Sequence, residues 1–290
     1  MIKICGTEHL SQCAEIAFKR NSLPGTSCAF CSSSKESICK DFEFMINNAK
    51  CLVLGYFAGD SLLSVFGFFM NPENNWVDCV GPFFKDEWNP HAAKDMFLFA
   101  QSTLTDAARF NFFFDARNVN CHQLMEELAA ERGDNEYILL LDKADYKPQE
   151  VKNCVVRYTD EYENDLIQLH DMTFPDVYVT GTDIISSIGS TREAFCALDD
   201  NGDFAGYGIL KLADDSKQFT AEIFAVKDEM RRKGYGWALL NAVIDSAFNK
   251  HNADIVSLVV EKLNTHARDL YFSCGFKLSV ENEMFYLRAQ

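Results

Sequence analysis

Three basic residues and two glycines precede an amphipathic helix in the segment 231–250, RRKGYGWALLNAVIDSAFNK. The loop at its start consists of Arg231, Arg232, Lys233, Gly234, Tyr235, Gly236 and Trp237. Apolar residues then recur at steps of three and four, which is the spacing of one buried helix face. The preceding segment 218–226, QFTAEIFAV, is rich in aromatic and β-branched residues and is typical of a strand. The predicted order is therefore strand, basic glycine loop, helix.

This order of elements predicts a site for an anion. Backbone N–H groups in the first turn of a helix have no partner within the helix, and the helix dipole adds positive potential there. Glycine allows a ligand to approach that backbone closely. The loop is therefore expected to bind a phosphate group. A solvated helix start with an ordinary glycine turn is the alternative, and the loop by itself does not separate the two.

The composition sets the class of protein and of partner. The chain has 290 residues, 48% hydrophobic and 24% charged, which is typical of a soluble globular protein of two domains. The formal net charge of -16, from 43 acidic and 27 basic residues, argues against nucleic acid and anionic membranes as partners. It favours cationic small molecules. No signal peptide or membrane-length apolar run is recognised, so a cytoplasmic location is expected.

The eleven cysteines have no regular spacing and predict reduced thiols rather than a disulfide framework. Cys28 and Cys31 form a C-x-x-C pair, with Cys39 nearby, and such a pair can bind zinc or carry out redox chemistry. No second pair or histidine follows at zinc-finger spacing, and free cysteine is a common buried apolar residue. No metal is therefore expected.

The two halves of the chain resemble each other. Segments 52–88 and 195–230 are each predicted to form three strands separated by polar turns. The tripeptide Lys-Asp-Glu lies near the end of both segments, at 85–87 and at 227–229. In both halves a helix, an unbroken apolar run, a second helix and a last strand follow. Such apolar runs fit strands that are covered on both faces. One fold used twice, as an internal duplication, accounts for this order.

The polar, proline-containing segment 142–150, DKADYKPQE, separates two strand-like segments. Composition of this kind is typical of a linker between domains. We therefore predict two domains, 1–145 and 146–290.

A second group of polar residues follows the apolar run of the second half. Asn264 is a good N-cap residue, Ala267 and Tyr271 fall on one helix face, and Gly275 is a natural helix stop. Neighbouring parallel strands place the helices that follow them at the same edge of the sheet, where ligands bind in such folds. Tyr271 is therefore expected near the glycine loop. A core tyrosine bonded to the backbone is the alternative.

Together, the loop and the later helix resemble the GNAT superfamily of N-acetyltransferases. The motifs that carry the resemblance are Arg231-x-x-Gly234-x-Gly236 and Asn264-x-x-Ala267-x-x-x-Tyr271-x-x-x-Gly275-Phe276. In element order the resemblance covers 151–290, and the duplicated layout is similar to the tandem members of the family. It implies an α/β (α+β) fold of two GNAT-like domains. Each would be a mixed, mostly antiparallel sheet with a splayed parallel central pair, flanked by helices.

The resemblance also implies acetyl-CoA as co-substrate. The residues that it assigns to acetyl-CoA are Phe224, Ala225, Val226, Arg231, Arg232, Lys233, Gly234, Tyr235, Gly236, Trp237, Asn264 and Tyr271. In this family the loop binds the pyrophosphate through backbone N–H groups, and the pantetheine arm pairs with the end of the preceding strand. The N–H of Val226 would polarise the thioester carbonyl. Asn264 matches a position that contacts the pantetheine arm.

The same resemblance assigns the catalytic residues. Tyr271 matches the family's general acid, and a phenol with a pKa of about 10 suits protonation of the departing thiolate. The attacking amine must lose a proton to a base. Glu222 has the same parity on its strand as Phe224 and Val226 and is the candidate base, with an edge-strand glutamate as the alternative. Weaker candidates, in the region where the family shapes its acceptor pocket, are His170, Asp176 and Tyr178.

The first half departs from these motifs. Asn89, Pro90, Ala92 and Lys94 stand where the second half has Arg231, Arg232, Gly234 and Gly236. Pro90 removes a backbone donor. Asn118 retains the position of Asn264, but Met125 stands where the second half has Tyr271. We therefore predict that the first domain does not bind acetyl-CoA productively and serves as a structural partner, completes the acceptor pocket or binds a regulatory ligand.

The resulting hypothesis is an acyl-CoA-dependent N-acetyltransferase. It would transfer the acetyl group of acetyl-CoA to a primary amine of a small molecule or peptide by direct attack, with Tyr271 as general acid. The alternative is a non-catalytic acyl-CoA-binding or regulatory tandem protein. The expected partners are acetyl-CoA and the amine, without nucleic acid or membrane, and the expected state is a monomer or homodimer.

Overall fold

A computed structural model describes residues 1–175, 179–212 and 217–288. The strands are β1 (Ile2–Ile4), β2 (Leu52–Ala58), β3 (Ser61–Met70), β4 (Trp76–Phe84), β5 (Arg109–Asp115), β6 (Glu131–Arg132), β7 (Glu136–Asp142), β8 (Cys154–Arg157), β9 (Arg192–Leu198), β10 (Phe204–Lys211), β11 (Gln218–Val226), β12 (Ile255–Glu261) and β13 (Lys277–Arg288). The α-helices are α1 (Leu10–Asn21), α2 (Lys35–Asn47), α3 (Pro90–Thr103), α4 (Val119–Leu128), α5 (Glu163–Thr173), α6 (Gly181–Ser187), α7 (Tyr235–Asp245) and α8 (Thr265–Ser273). The shorter turns are the 3₁₀ turns Thr7–His9, Pro24–Thr26, Asp160–Tyr162 and Asp228–Met230 and the π-helical turn Ser246–Lys250. Among these residues no helix combines the length and the apolar composition needed to cross a membrane.

The chain forms two compact units. The first unit is Met1–Glu136 with the C-terminal segment from Val280, and the second unit is Tyr137–Ser279. This division differs from the predicted one in two strands, because β7 belongs to the second unit and most of β13 to the first. Each half of the sequence therefore ends in a strand that completes the sheet of the other unit.

The first unit is a sheet with helices on both faces. Its strands follow the order β1-β2-β3-β4-β5-β13, and β13 runs antiparallel to β5, from Asn282 opposite Asp115 to Arg288 opposite Arg109. Helices α3 and α4 cover a core rich in phenylalanine on one face. Helices α1 and α2 cover a second core on the other face.

The second unit repeats this architecture. Its strands follow the order β8-β9-β10-β11-β12-β7. Helices α7 and α8 pack on one face, and α5 and α6 pack on the other. In both units a helix follows the fourth strand of an antiparallel series. A parallel strand and a second helix come next, as the predicted duplication requires.

The central parallel pair of each unit is short. Strands β4 and β5 are in register from Trp76↔Arg109 to Asp78↔Asn111. Strands β11 and β12 are in register from Gln218↔Ile255 to Thr220↔Ser257. Beyond these pairs the two strands separate within the described residues. The predicted fold class, a mixed and mostly antiparallel sheet with a splayed parallel pair and flanking helices, is confirmed.

Candidate functional site

The open edge of β11 is the first element of the candidate site. On one side β11 pairs with β10 up to its last residue, Val226, which lies opposite Gly206. On the other side its described pairing with β12 ends at Thr220. The end of β11 therefore offers one edge of backbone groups that an extended ligand can pair with, as an added strand would.

A β-bulge changes the direction of the side chains along β11. Ile209 lies opposite Ile223, but the next residue of β10 lies opposite Ala221, so Glu222 is one extra residue on β11. Before the bulge, Ala221 packs against the α7 and α8 core, and after it Phe224 does so. The predicted common face of Glu222 and Phe224 is therefore wrong, because one extra residue reverses the alternation.

Glu222 forms a nearly buried ion pair on the α5 and α6 face. Its carboxylate accepts two hydrogen bonds from Arg192, 2.6 Å from Nε to Oε2 and 3.0 Å from the terminal Nη2 to Oε1. The Nζ of Lys211 lies 3.7 Å from Oε1, and Arg192 also donates to the hydroxyl of Ser187. The Glu222 side chain is 8% exposed. Both of its carboxylate oxygens are engaged, so proton abstraction from an amine would require one of these bonds to be exchanged.

The loop after β11 brings the chain to the start of α7. Lys227 donates its N–H to Ala205 and closes the strand. The backbone is left-handed at Arg232 (φ +63°) and at Gly234 (φ +91°), which is the N-cap residue of α7. Glycine is required at 234 by this φ, and a Cβ there would also lie 3.1 Å from the side-chain oxygen of Asn153.

The N-terminus of α7 has no side-chain cap within the described residues. Its N-cap residue is Gly234, which has no side chain to accept a hydrogen bond, and the first turn contains no acidic residue. The first helical N–H bond within α7 is donated by Ala238 to Gly234. The N–H groups of Tyr235, Gly236 and Trp237 therefore point from a helix start whose dipole favours an anion.

The three cations of the loop are exposed. Arg231 folds back on its own loop, where it donates to the carbonyl of Val226 at 3.3 Å and pairs with Asp228 at 2.8 Å. Arg232 lies 3.4 Å from the Nδ1 of His266 on α8. Arg232 and Lys233 form no ion pair with a residue in the described part of the chain. Both cations therefore remain available to an anionic ligand.

Three elements converge at Gly236. A Cβ built there would lie 3.8 Å from the Cδ2 of Leu270 on α8 and 3.9 Å from the Cγ2 of Val226 on β11. These are ordinary van der Waals distances, and Gly236 has no left-handed φ. Neither a close contact nor the backbone conformation therefore requires glycine at this position.

Helix α8 places Tyr271 against the same core as the loop. Asn264 caps the helix, because its side-chain oxygen accepts a hydrogen bond from the N–H of Ala267 at 3.2 Å. The half-buried ring of Tyr271 packs with α7 and lies 6.2 Å from the ring of Phe276. Burial raises the pKa of Tyr271 to about 12, and its hydroxyl has no hydrogen-bond partner among the described residues. The hydroxyl is thus a protonated donor at neutral pH.

Asn241 connects the two helices of the site. This buried residue on α7 donates to the carbonyl of Trp237 at 2.8 Å and to the sulfur of Cys274 at 3.7 Å. It thereby links the first turn of α7 to the end of α8, which is the helix that carries Tyr271.

A cavity of about 550 Å³ lies between α5 and the loop after β11. Three carboxylates and two cations line it, together with apolar and polar residues of α5. The cations are partly neutralised, because Lys227 lies 3.5 Å from Asp165 and Arg231 is paired as described above. Glu229 has no ion pair with a described residue. The cavity therefore has a surplus of negative charge, which suits a cationic ligand.

His170 is engaged on both ring nitrogens. It is buried, with Nδ1 2.6 Å from the hydroxyl of Tyr207 and Nε2 2.8 Å from the carbonyl of Val179. A carbonyl only accepts, so Nε2 carries the proton and Nδ1 accepts from the tyrosine. This hydrogen bonding makes His170 a structural residue. The other two weak candidates, Asp176 and Tyr178, lie outside the described residues.

The corresponding helix start in the first unit is closed by the protein itself. The side-chain oxygen of Asn89 accepts from the N–H of Ala92 at 3.0 Å, and Pro90 occupies the first helical position. Asn118 caps α4 as Asn264 caps α8. Met125, which stands in place of the tyrosine, is 2% exposed within the core. The first unit thus has the same fold and the same asparagine cap on its later helix, α4. The start of α3, however, is satisfied by residues of the protein itself.

The C-x-x-C pair is part of a packed core. Cys28 and Cys31 are free thiols, and the Cys28 thiol lies 3.4 Å from the carbonyl of Cys79. Burial raises the pKa of Cys28 to about 11. Over residues 1–175, 179–212 and 217–288, no group of three or more His, Cys, Asp or Glu side chains is arranged to hold a metal ion. These thiols therefore act as small apolar residues.

Sequence reasoning did not identify three residues that shape the site. They are Arg192, which binds Glu222, His266, which contacts Arg232, and Asn153, whose amide donates to the carbonyl of Lys233 at 3.3 Å. Each lies at least thirty positions from its partner in the chain. No local spacing marks such pairs, so no signal in a single sequence could have found them.

Comparison with known proteins supports the reading of the fold. Residues 160–276 match the model of the acetyltransferase (GNAT) family. Similar solved structures include a GCN5-related N-acetyltransferase from Sphaerobacter thermophilus, with a TM-score of 0.78 and 13% identity, over 100% of this chain and 96% of that one. A tandem GNAT protein from the clavulanic acid biosynthesis pathway, solved without AcCoA, has a TM-score of 0.71 and 12% identity, over 100% and 98% of the two chains.

A GNAT-family acetyltransferase from Colwellia psychrerythraea is also similar, with a TM-score of 0.62 and 12% identity, over 99% of this chain and 100% of that one. No curated protein matches the sequence. At these identities the structural likeness concerns the fold, and the sequence match concerns the part of the chain that contains the loop and Tyr271. Residues 160–276 are therefore similar to the acetyltransferase (GNAT) family, in a chain that has the GNAT fold over its whole length.

Proposed function

We propose that this protein is an N-acetyltransferase that transfers the acetyl group of acetyl-CoA to a primary amine, with its active site in the second unit. The observation that carries the proposal is the uncapped, basic start of α7 beside the open edge of β11. A pyrophosphate needs unpaired N–H donors and positive charge, and a pantetheine arm needs an open strand edge. The second unit offers both within one short segment of chain.

Binding would proceed through backbone groups first. The N–H groups of Tyr235, Gly236 and Trp237 would donate to pyrophosphate oxygens, since no described side chain caps them. Arg232 and Lys233 would add positive charge from the solvent side. The absence of a side chain at Gly236 would allow phosphate oxygens to reach hydrogen-bond distance of the backbone. Asn264 would remain a helix cap, with its side-chain amide group free to contact the pantetheine arm.

The transfer is a direct attack of the amine nitrogen on the thioester carbonyl carbon. A C–N bond forms, and the carbonyl oxygen becomes an oxyanion that the N–H of Val226 would stabilise. The C–S bond then breaks, and the thiolate of CoA takes a proton from the Tyr271 hydroxyl. The amine loses one proton to a base, so that the products are an amide and CoA thiol. Solvent returns a proton to the tyrosine.

The acceptor that suits this chain is a cationic amine. The cavity beside α5 has more carboxylates than cations and borders the loop that follows β11. An alkylammonium group is protonated at neutral pH, so it would be attracted there before it loses its proton. Glu222 stays a candidate base, acting after exchange of one Arg192 hydrogen bond. A water held by the carbonyls of the open edge is the other route for the proton.

A calorimetric titration of acetyl-CoA into the full chain tests the proposal. We expect one site per chain, followed by amine-dependent release of CoA in a screen of primary amines. Binding at two sites per chain would show that the first unit also binds the cofactor. Absence of binding would contradict the proposal and leave the glycine loop as an ordinary helix start.

One observation favours a second candidate, a protein that binds acyl-CoA without transferring the acyl group. The two carboxylate oxygens of Glu222 are both held by Arg192, and His170 is fully hydrogen-bonded, so neither is a ready base. Tight binding of acetyl-CoA without amine-dependent CoA release across the screen would support this second candidate. Release that depends on both acetyl-CoA and an amine would exclude it.

A further inference from the structure

The first unit contains a cavity that plays no part in the proposed transfer. It has a volume of about 490 Å³ and lies between α2, strands β3 and β4 and the loop before α2. Small-molecule sites usually have volumes of roughly 300–1,000 Å³ and mostly apolar walls with a few placed polar groups. This cavity fits that description in both size and lining.

The walls are aromatic. Phe30, Phe42, Phe44 and Phe69 line the cavity, and the rings of Phe44 and Phe69 lie 5.8 Å apart. Phe44 is 52% exposed although it is a large apolar side chain. Water against such a surface is unfavourable, and an apolar ligand would displace it. Flat walls of this kind match an aromatic ring.

One carboxylate gives the cavity its polarity. Asp41 lines it and accepts a hydrogen bond at 2.6 Å from the hydroxyl of Ser32. The lysines of the same helix are paired elsewhere, Lys35 with Glu15 and Lys40 with Glu36. Asp41 forms no ion pair with a described residue. Its negative charge is therefore available to a ligand.

The remaining polar group of the wall stays neutral. Burial raises the pKa of the Cys31 thiol, and the nearby Cys28 and Asp41 raise it further by smaller amounts. A neutral thiol contributes apolar surface and no charge. The cavity thus combines phenylalanine rings with a single free carboxylate.

We propose that this cavity binds a small aromatic amine, with its ring between the phenylalanine side chains and its ammonium group on Asp41. The rings also attract the cation through their negative faces. The overall negative charge of the chain, -16, further favours a cationic ligand. The first unit, whose own helix start is capped, would thereby have a ligand of its own.

The experiment uses the full chain with ¹³C-labelled methionine methyl groups and 2-phenylethylamine as the probe. Met45 lines the cavity and is 2% exposed, whereas Met172 lines the cavity beside α5 in the second unit. We expect a saturable shift of the Met45 methyl signal, which the variant Met45→Leu assigns. A probe that shifts Met172 alone would bind only at the proposed acceptor cavity, and this result would overturn the inference.

Two further probes test the role of the ammonium group. 2-Phenylethanol has the same ring and length without the charge, and phenylacetate has the opposite charge. We expect both to bind at least about tenfold more weakly than 2-phenylethylamine at the site that Met45 reports. Equal affinity for the amine and the alcohol would overturn the proposal.

Matched variants locate the two parts of the site. Asp41→Asn should bring the amine and the alcohol to similar affinity, while Glu43→Gln, two residues further along α2, should not change their ratio. Phe44→Ala should weaken both probes, while Phe99→Ala, another exposed phenylalanine in the first unit, should weaken neither. Equal effects of a variant and its control would overturn the assignment of that residue.

Discussion

Replacement of Gly236 by alanine separates a ligand-binding role from a structural one. Gly236 is the second residue of α7. A Cβ there meets Leu270 at 3.8 Å and Val226 at 3.9 Å, which are ordinary contacts. The substitution therefore adds no clash within the protein. It places a methyl group on the surface from which the first-turn N–H groups are expected to reach a phosphate.

Stability and binding are expected to change in opposite directions. Alanine is better than glycine in a helix by at most about 1 kcal/mol, so the Tm should rise by up to roughly 4 °C. Loss of one charge-assisted hydrogen bond to the pyrophosphate costs about 1.5–3 kcal/mol. This cost corresponds to a roughly 10- to 150-fold weaker binding of acetyl-CoA. Gly236→Leu should abolish binding, since its larger side chain occupies the approach itself.

Calorimetric titration with acetyl-CoA and a thermal melt of the same preparations measure both effects. Gly25→Ala is the matched control, because Gly25 also lies second in a helical turn and its Cβ would meet only a backbone oxygen, at 3.9 Å. If Gly236→Ala bound acetyl-CoA as tightly as the wild type, the expected approach of the phosphate to this backbone would be refuted. A lower Tm would show that glycine is needed by the fold.

Three further outcomes follow from the same geometry. Tyr271→Phe should lower turnover about 10²- to 10⁴-fold without weakening acetyl-CoA binding or the fold. The control Tyr146→Phe, which loses a hydrogen bond to Asp245, should leave turnover unchanged. Unchanged turnover in Tyr271→Phe would show that another group is the acid. Burial raises the pKa of Tyr271 to about 12, so its hydroxyl stays protonated from pH 7 to 10. Turnover at saturating amine should therefore not fall over this pH range. A fall near pH 8 would indicate that another group is the acid. Glu222→Gln removes the negative charge from a mostly buried ion pair with Arg192, which should lower the free energy of unfolding by about 3 kcal/mol. An unchanged urea midpoint would contradict this.

The order of the helices and strands could be predicted because its signals are local. Apolar spacing at three and four residues marked α7, and unbroken apolar runs marked the strands that are covered on both faces. The caps at Asn118 and Asn264 are likewise set by residues within one turn. Local signals repeated in the same order in both halves were sufficient to predict one fold used twice, and the resemblance to the GNAT superfamily implied the mixed sheet with a splayed parallel pair.

The partner of each terminal strand could not be predicted in this way. A strand's alternation of apolar and polar residues states which faces are buried, but it does not name the neighbouring strand. Residues 277–288 follow α8 directly, and the sequence suggested that they complete the sheet of their own half. In the structure most of β13 pairs with β5 of the first unit instead. The predicted boundary at 145/146 depended on that missing information.

The predicted direction of the Glu222 side chain was wrong for a related reason. Parity along a strand holds only while each residue has one partner, and the extra residue opposite β10 interrupts it. Nothing in QFTAEIFAV marks a bulge, since no glycine or proline occurs there. Arg192, which forms the ion pair with Glu222, lies thirty residues away in the sequence. Parity along the strand alone therefore did not predict the face of the sheet on which the Glu222 side chain lies.

The corresponding helix starts of α3 and α7 differ in how their first N–H groups are satisfied. Both α3 and α7 begin with N–H groups that have no partner within the helix. In α3 the side chain of Asn89 accepts from one of them and Pro90 removes another. In α7 no described side chain accepts from them, and glycine occupies both the N-cap position and the second helical position. The exposed cations Arg232 and Lys233 lie beside this helix start. The same fold thus satisfies one helix start internally and leaves the other to solvent or to an anion. The fold does not need an uncapped helix start, since the first unit has the same fold with a capped one. An uncapped start is explained if the second unit binds phosphate.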